Sequence, residues 1–152
     1  MNIVLFEPEI HTNTGNIART CAITGTTLHL IKPLGFSLED KYLKRAGLDY
    51  WEFLDLKIYE NYDEFLEKNK GGVLYFLSTK GEVSYTEKEY GDDDYLVFGP
   101  ETRGLPLNMM EPHWGNVCKI PMGEKFRSLN LSNAAAIVLY EALRQGGFKG
   151  LK

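Results

Sequence analysis

The sequence predicts a single α/β domain on a mainly parallel β-sheet, and two observations carry that expectation. Short apolar runs of buried-strand length recur along the 152-residue chain, at 2–6, 27–31, 73–78, 95–99 and 117–121. Between them lie stretches with helical apolar spacing and capping residues, the alternation typical of parallel strand–helix–strand units. With 43% hydrophobic and 25% charged residues, the chain can fill one core and lacks the composition of a disordered segment.

The elements follow in order. "NIVLF" (2–6) reads as a buried strand. In "NTGNIARTCAITG", Ile17, Ala18, Cys21 and Ala22 share a helical face, with Asn13 or Thr14 as cap and Gly25 as stop. "TLHLI" (27–31) is a second strand, and Ser37 placed three before Asp40 predicts a short helix over Leu38–Ala46. Leu54, Leu56 and Ile58 alternate with Asp55, Lys57 and Tyr59, as in a half-exposed strand. Asn61 with Glu64 three later opens another short helix, closed by Gly71-Gly72. The strands at 73–78, 95–99 and 117–121 follow, and "LSNAAAIVLYEALRQGG" closes the chain as a long helix stopped at Gly146-Gly147. That helix is apolar nearly all round, so more than one side needs cover, and a homodimer is expected to supply it.

Several classes of function are disfavoured. No run approaches the roughly 20 apolar residues of a membrane span, and no signal-like segment opens the chain, so a soluble cytoplasmic protein is expected. Cys21 and Cys118 lie apart in apolar surroundings and read as core filling. His11, His29 and His113 are scattered, so no metal site is expected. The net charge of −4 argues against indiscriminate nucleic-acid binding, although a local basic patch acts through its own field. Lys41, Lys44 and Arg45, and the tail Lys149 and Lys152, are candidates for such a patch or are ordinary solvated charges.

Three segments are richer in polar and turn residues than structure alone requires. "NTGNIART" carries Arg19 near the start of its helix, where a cation opposes the macrodipole unless an anion comes close. "LVFGPETRGLP" ends a buried strand in a turn crowded with Glu101, Thr102 and Arg103. "IPMGEKFRSLNLSNAAA" gathers Arg127, Ser128, Asn130, Ser132 and Asn133 where one capping group would suffice. Each adjoins a strand end, so together they predict a small-ligand crevice at the edge of the sheet. Neither a G-x-G-x-x-G turn, a Walker loop nor a nucleophile motif is present to say what binds there.

These segments, "PEIHTNTGNIARTCAITG", "LVFGPETRGLP" and "IPMGEKFRSLNLSNAAAIVLYEALRQ", closely resemble the three motifs of the SPOUT (SpoU–TrmD) RNA methyltransferases. Within that superfamily the likeness is to the TrmL-type tRNA wobble-nucleotide ribose 2'-O-methyltransferases. "PLGF", "KRAGLDYWEF" and "STKG" fit the same subgroup, so the resemblance runs end to end. It implies a C-terminal deep trefoil knot, a rarity that general topology would not suggest. It also implies S-adenosylmethionine as cofactor, a homodimer, and methylation of a wobble-pyrimidine ribose in a tRNA anticodon stem-loop.

Carried over by motif position, Leu77, Gly99, Ile120 and Ser128 would line the cofactor pocket and Arg19 would be the catalytic residue. Gly99 would be bare because the cofactor lies against it, with Glu101 and Arg103 bracing the loop as an ion pair. Arg19 is expected to act as a fixed cation rather than a base, since guanidinium hardly deprotonates in proteins. Asn130 and Ser132 would help position substrate. One domain over 1–152, with no separate RNA-binding domain, is expected. Another tRNA position, a ribosomal RNA target, or an inactive knotted RNA-binding module are the competing readings.

Overall fold

The computed structural model describes residues 1–39 and 50–152. Its elements are β1 (Asn2–Phe6), α1 (His11–Thr24), β2 (Thr27–Ile31), β3 (Leu56–Tyr59), α2 (Tyr62–Lys68) and β4 (Leu74–Leu77). After these come β5 (Val83–Ser84), β6 (Tyr95–Phe98), α3 (Leu107–Met110), β7 (Val117–Lys119) and α4 (Leu131–Gln145). The helix expected over Leu38–Ala46 falls almost wholly outside the described residues, as do Lys41, Lys44 and Arg45.

The strands form one seven-stranded sheet in the order β3-β2-β1-β6-β4-β7-β5. Every pairing among the described residues is parallel. Both faces are covered, which is why the strands read as continuous apolar runs. Ile3, Leu5, Leu28, Leu30, Leu96 and Phe98 point to the face packed by α1 and α4. Val4, Ile31, Phe76 and Val97 alternate onto the other face, against Phe65 of α2 and Met109 and Met110 of α3. Burial of such a side chain contributes about 1.5–3 kcal/mol, so these two layers dominate stability.

Local chemistry sets the helix ends. α1 starts earlier than its sequence suggests: Ile10 is the N-cap and offers no side-chain cap. Asn13 and Thr14, expected as caps, are buried inside the helix instead. Gly25 ends it in the left-handed region at φ 67°, as expected of a glycine stop. α2 is capped by the Asn61 side chain, which accepts the Glu64 N–H at 2.8 Å.

β3 begins at Leu56 and not at Leu54. Its alternation is also shifted, because Tyr59 is buried while Ile58 stays exposed at the sheet edge. Tyr59 is held by His29, whose Nδ1 lies 2.9 Å from the Tyr59 hydroxyl while Nε2 lies 2.9 Å from Asn2 Oδ1. Burial pushes the His29 imidazole down from 6.5 to about 4, with Lys57 adding to the shift.

α4 is apolar on more than one side, and its inner face of Ala135, Val138, Leu139 and Ala142 is buried. Ile137 and Tyr140 on its other side remain 38% and 42% exposed. Both cysteines are free and buried.

Candidate functional site

Because all strands run parallel, their C-terminal ends lie along one edge, and the loops leaving β1, β4, β6 and β7 meet there. The sheet order places β1 between β2 and β6, so successive connections turn to opposite sides at this point. Crevices in open parallel sheets form at such reversals.

Two loops are clamped together by an exchange of carboxylates. The Glu101 carboxylate accepts the backbone N–H of Glu9 at 2.7 Å and of Ile10 at 3.2 Å. In return the Glu9 carboxylate accepts the Thr102 N–H at 3.0 Å and the Thr102 hydroxyl at 2.7 Å. Those Thr102 donors hold the Glu9 carboxyl below its ordinary value of 4.5. Glu101 thus stands, negatively charged, at the N-terminus of α1, where the dipole favours an anion and no local cap exists. The expected Glu101–Arg103 ion pair does not form, since Arg103 meets Glu7 instead at 3.4 Å. The carboxylate of Glu101 is already committed to two N–H groups, and Arg103 faces the other loop.

Behind the clamp lies a cavity of about 510 Å³, and Leu77, Gly99, Ile120 and Ser128 all line it. They come from three separate segments, the end of β4, the loop after β6 and the β7–α4 connection that carries both Ile120 and Ser128, so only the fold brings them together. Its size falls in the ~300–1,000 Å³ range of small-molecule sites. Gly99 is bare for a reason internal to the chain. A Cβ there would sit 2.4 Å from the Leu105 nitrogen and 2.5 Å from the Gly104 carbonyl carbon, so the loop folds over its own start.

Asn13 also lines this cavity, at only 6% exposure. Its Oδ1 accepts from Asn130 Nδ2 at 3.1 Å, joining the first turns of α1 and α4. The Asn130 side-chain oxygen caps α4 by accepting from Ser132 N and Asn133 N at 3.0 and 3.3 Å, and takes the Ser132 hydroxyl as well. Asn130 and Ser132 thus form the cap of α4, with Asn130 in the cavity lining.

Arg19 does not line the cavity. It is exposed on α1, its Nη2 donating to the Tyr50 hydroxyl at 3.2 Å, with its guanidinium carbon 4.6 Å from the centre of that ring. α1 begins at His11, so Arg19 sits beyond the second turn rather than in the first. Six residues separate it from Asn13, which turns it about 240° around the helix and carries it about 9 Å along the axis.

Sequence reasoning passed over Glu9, Lys80, Lys119 and Phe126, all beside these loops. An acid two residues before a helix lacking its own cap was the available signal for Glu9. Among the described residues no cluster of three or more His, Cys, Asp or Glu could hold a metal ion, and no helix is long and apolar enough to cross a membrane.

Comparison with known proteins gives a consistent result. Residues 1–140 match the model of the SpoU rRNA Methylase family. A tRNA (cytidine(34)-2'-O)-methyltransferase of Saccharophagus degradans is 56% identical over 152 residues, covering 99% of each chain. A solved structure described as giving insight into 2-OH methylation of C/U34 on tRNA superposes with a TM-score of 0.91 at 46% identity, covering 96% of this chain and 95% of that one. The SpoU methyltransferase AviRb of Streptomyces viridochromogenes, solved with AdoMet, shares the fold at TM-score 0.83 and 24% identity, over 96% of this chain and 60% of its own.

Proposed function

The chain belongs to the SpoU methylase family, and on that premise we propose that it transfers a methyl group from S-adenosylmethionine to the ribose 2'-oxygen of the wobble pyrimidine, nucleotide 34, of tRNA. The observation carrying the reading is the convergence of Leu77, Gly99, Ile120 and Ser128 on one cavity, in a chain 56% identical to an enzyme named for that reaction. The family model is named for ribosomal RNA, but the near-complete coverage of position-34 relatives favours tRNA.

The cavity fits the cofactor in chemistry as well as size. Leu77 and Ile120 offer apolar walls for an adenine ring, and residues 99–105 and 127–130 complete the lining with polar and backbone-rich loops. When bound there, S-adenosylmethionine supplies an already activated methyl group. The task left to the protein is alignment and charge stabilisation. Arg19 would orient the phosphate beside the target ribose and stabilise negative charge developing on its 2'-oxygen. Guanidinium keeps its proton, so the hydroxyl proton must leave by another acceptor, such as solvent.

Arg19 and the cavity face different ways on α1, which a homodimer resolves. Ile23 on α1 and Ile137 and Tyr140 on α4 are exposed apolar side chains that a second copy docked on these helices would cover. A partner docked on these helices could bring its Arg19 to this chain's cavity. The C-terminal knot of the family is part of the same proposal. It is supported by β7 lying between β4 and β5, and by α4 packing back against α1. A tRNA substrate is compatible with a cytoplasmic enzyme.

Labelled methyl transfer onto total tRNA from a strain lacking the modification, followed by nucleoside mapping, tests the reading. Label on the 2'-oxygen of nucleotide 34, lost with Arg19→Ala, is the expected result. Label on a base would overturn the reaction class.

A further inference from the structure

A second hollow of about 470 Å³ opens beside the cofactor cavity, with Ile120 and Arg127 lining both. Phe126 lines this outer hollow and is 73% exposed, an unusual position for a phenylalanine. The ring is not on a loose tail. A turn closed by the Phe126 N–H on the Gly123 carbonyl at 3.0 Å sets its backbone, and the ring edge lies over Gly123.

Cations lie close to it along the chain and the two hollows. Lys125 and Arg127 flank Phe126 in sequence, Lys119 lines the same hollow, and Lys80 lines the adjoining cavity. None of these four makes an ion pair among the described residues, whereas Lys32, Lys68, Arg103 and Arg144 each do. Glu124 is the sole acid in the stretch 119–130 of a chain whose net charge is −4. Positive charge left unneutralised at one mouth of an acidic protein complements a polyanion. An exposed aromatic face among such charges is the arrangement by which proteins hold unpaired nucleic-acid strands, the ring stacking on a base and the cations meeting phosphates.

We propose that Phe126 is the stacking platform for an unpaired base of the anticodon loop, with Lys119 and Arg127 taking the adjoining phosphates. The assignment rests on the reading of the neighbouring cavity as the methyl-donor site. Its place in the reaction is to seat the loop so that the target ribose lies over the shared wall at Ile120. Phe126 therefore governs RNA affinity and leaves cofactor affinity alone.

The test uses the full-length protein and a synthetic anticodon stem-loop. With Phe126→Ala, the RNA KM should rise about 5- to 160-fold, the span of one lost base–aromatic stack. kcat should hold within about twofold, as expected when binding common to ground and transition states is lost. S-adenosylhomocysteine affinity by calorimetry should be unchanged, and Phe126→Trp should restore the KM. Lys119→Gln should lower the salt dependence of RNA binding by about one unit of log–log slope, and Phe126→Ala should leave that slope alone. An unchanged KM overturns the platform, as does an equal loss of cofactor affinity or a change in oligomeric mass in Phe126→Ala. Failure of the wild-type protein to methylate the RNA at all would instead refute the underlying functional reading, and this assignment with it.

Discussion

Glu9 and Glu101 each hold the loop that bears the other, every carboxylate taking donors from the opposite segment. This exchange does for α1 what a local capping residue does in most helices. It also joins the first strand's exit to the loop that walls the cavity, so helix start and ligand site depend on the same two side chains.

Glu101→Gln should therefore weaken cofactor binding while the protein still folds. A carboxamide can accept one of the two N–H groups, but its amino end would face the other donor to donor. Losing one charge-assisted bond costs about 1.5–3 kcal/mol locally, and about a tenfold rise in the calorimetric Kd for S-adenosylhomocysteine is expected. Unchanged affinity would detach the clamp from the site. The Glu9 carboxyl is held low, so ionisation favours the fold and its contribution is present above its ordinary value of 4.5. As pH falls below that value and then through the lower folded value, the clamp should loosen and affinity fall further.

Gly99→Ala should close the site from within. The added methyl would meet the Gly104–Leu105 backbone at 2.4–2.5 Å, and backbone cannot rotate aside as a side chain can. A stability loss of about 1–3 kcal/mol and loss of cofactor binding are expected, read by urea titration and calorimetry. Wild-type affinity in this variant would contradict the steric account.

Arg19→Lys should lower kcat about 100-fold, the order of one lost charge-stabilising donor, with cofactor affinity unchanged because Arg19 stands outside the cavity. If each site combines one protomer's cavity with its partner's Arg19, mixing inactive Arg19→Ala and Gly99→Ala subunits should restore about a quarter of wild-type activity by random pairing. A site formed within one chain would restore none. Ile137→Asp should give a monomeric mass by light scattering and abolish turnover, whereas a monomeric wild-type protein would remove the dimer altogether.

His29 should make the fold acid-sensitive well above the carboxylate range. Its imidazole titrates near 4 when folded and near 6.5 otherwise, so the unfolded chain binds the proton first. Stability is then full above about pH 6.5 and is lost as pH falls toward 4, by about 2–3 kcal/mol at pH 4.5. Urea midpoints at pH 7 and 4.5 measure this, and His29→Phe should flatten the difference whatever its own stability at pH 7. An equal slope in that variant would place the sensitivity elsewhere.

Strands and the last helix were legible because burial on both sheet faces leaves a continuous apolar run, and such runs stand out against polar loops. The crevice shared by the Gly99 and Ile120–Ser128 segments was legible from polar residues crowding strand ends, whereas Leu77 and the choice of individual lining residues were reachable only through motif resemblance. α1's true start was hidden because its cap is supplied by Glu101, far along the chain. Asn13 read as a cap because that is its common role, yet here it links to Asn130 across the core edge. Ile58 and Tyr59 exchanged faces because His29 offers the tyrosine hydroxyl a buried partner. The two-residue β5 and four-residue α3 carry too little periodicity to detect.

The all-parallel sheet has a consequence for how the protein is made. Asn2 pairs with Thr27 on one side but with Tyr95 on the other, so β1 waits for a partner that lies more than ninety residues later in the chain. Until β6 emerges from the ribosome, β1 presents an open apolar edge to every other nascent chain nearby. Folding dominated by such distant pairings is slow, which lengthens the interval in which that edge is open to misassociation.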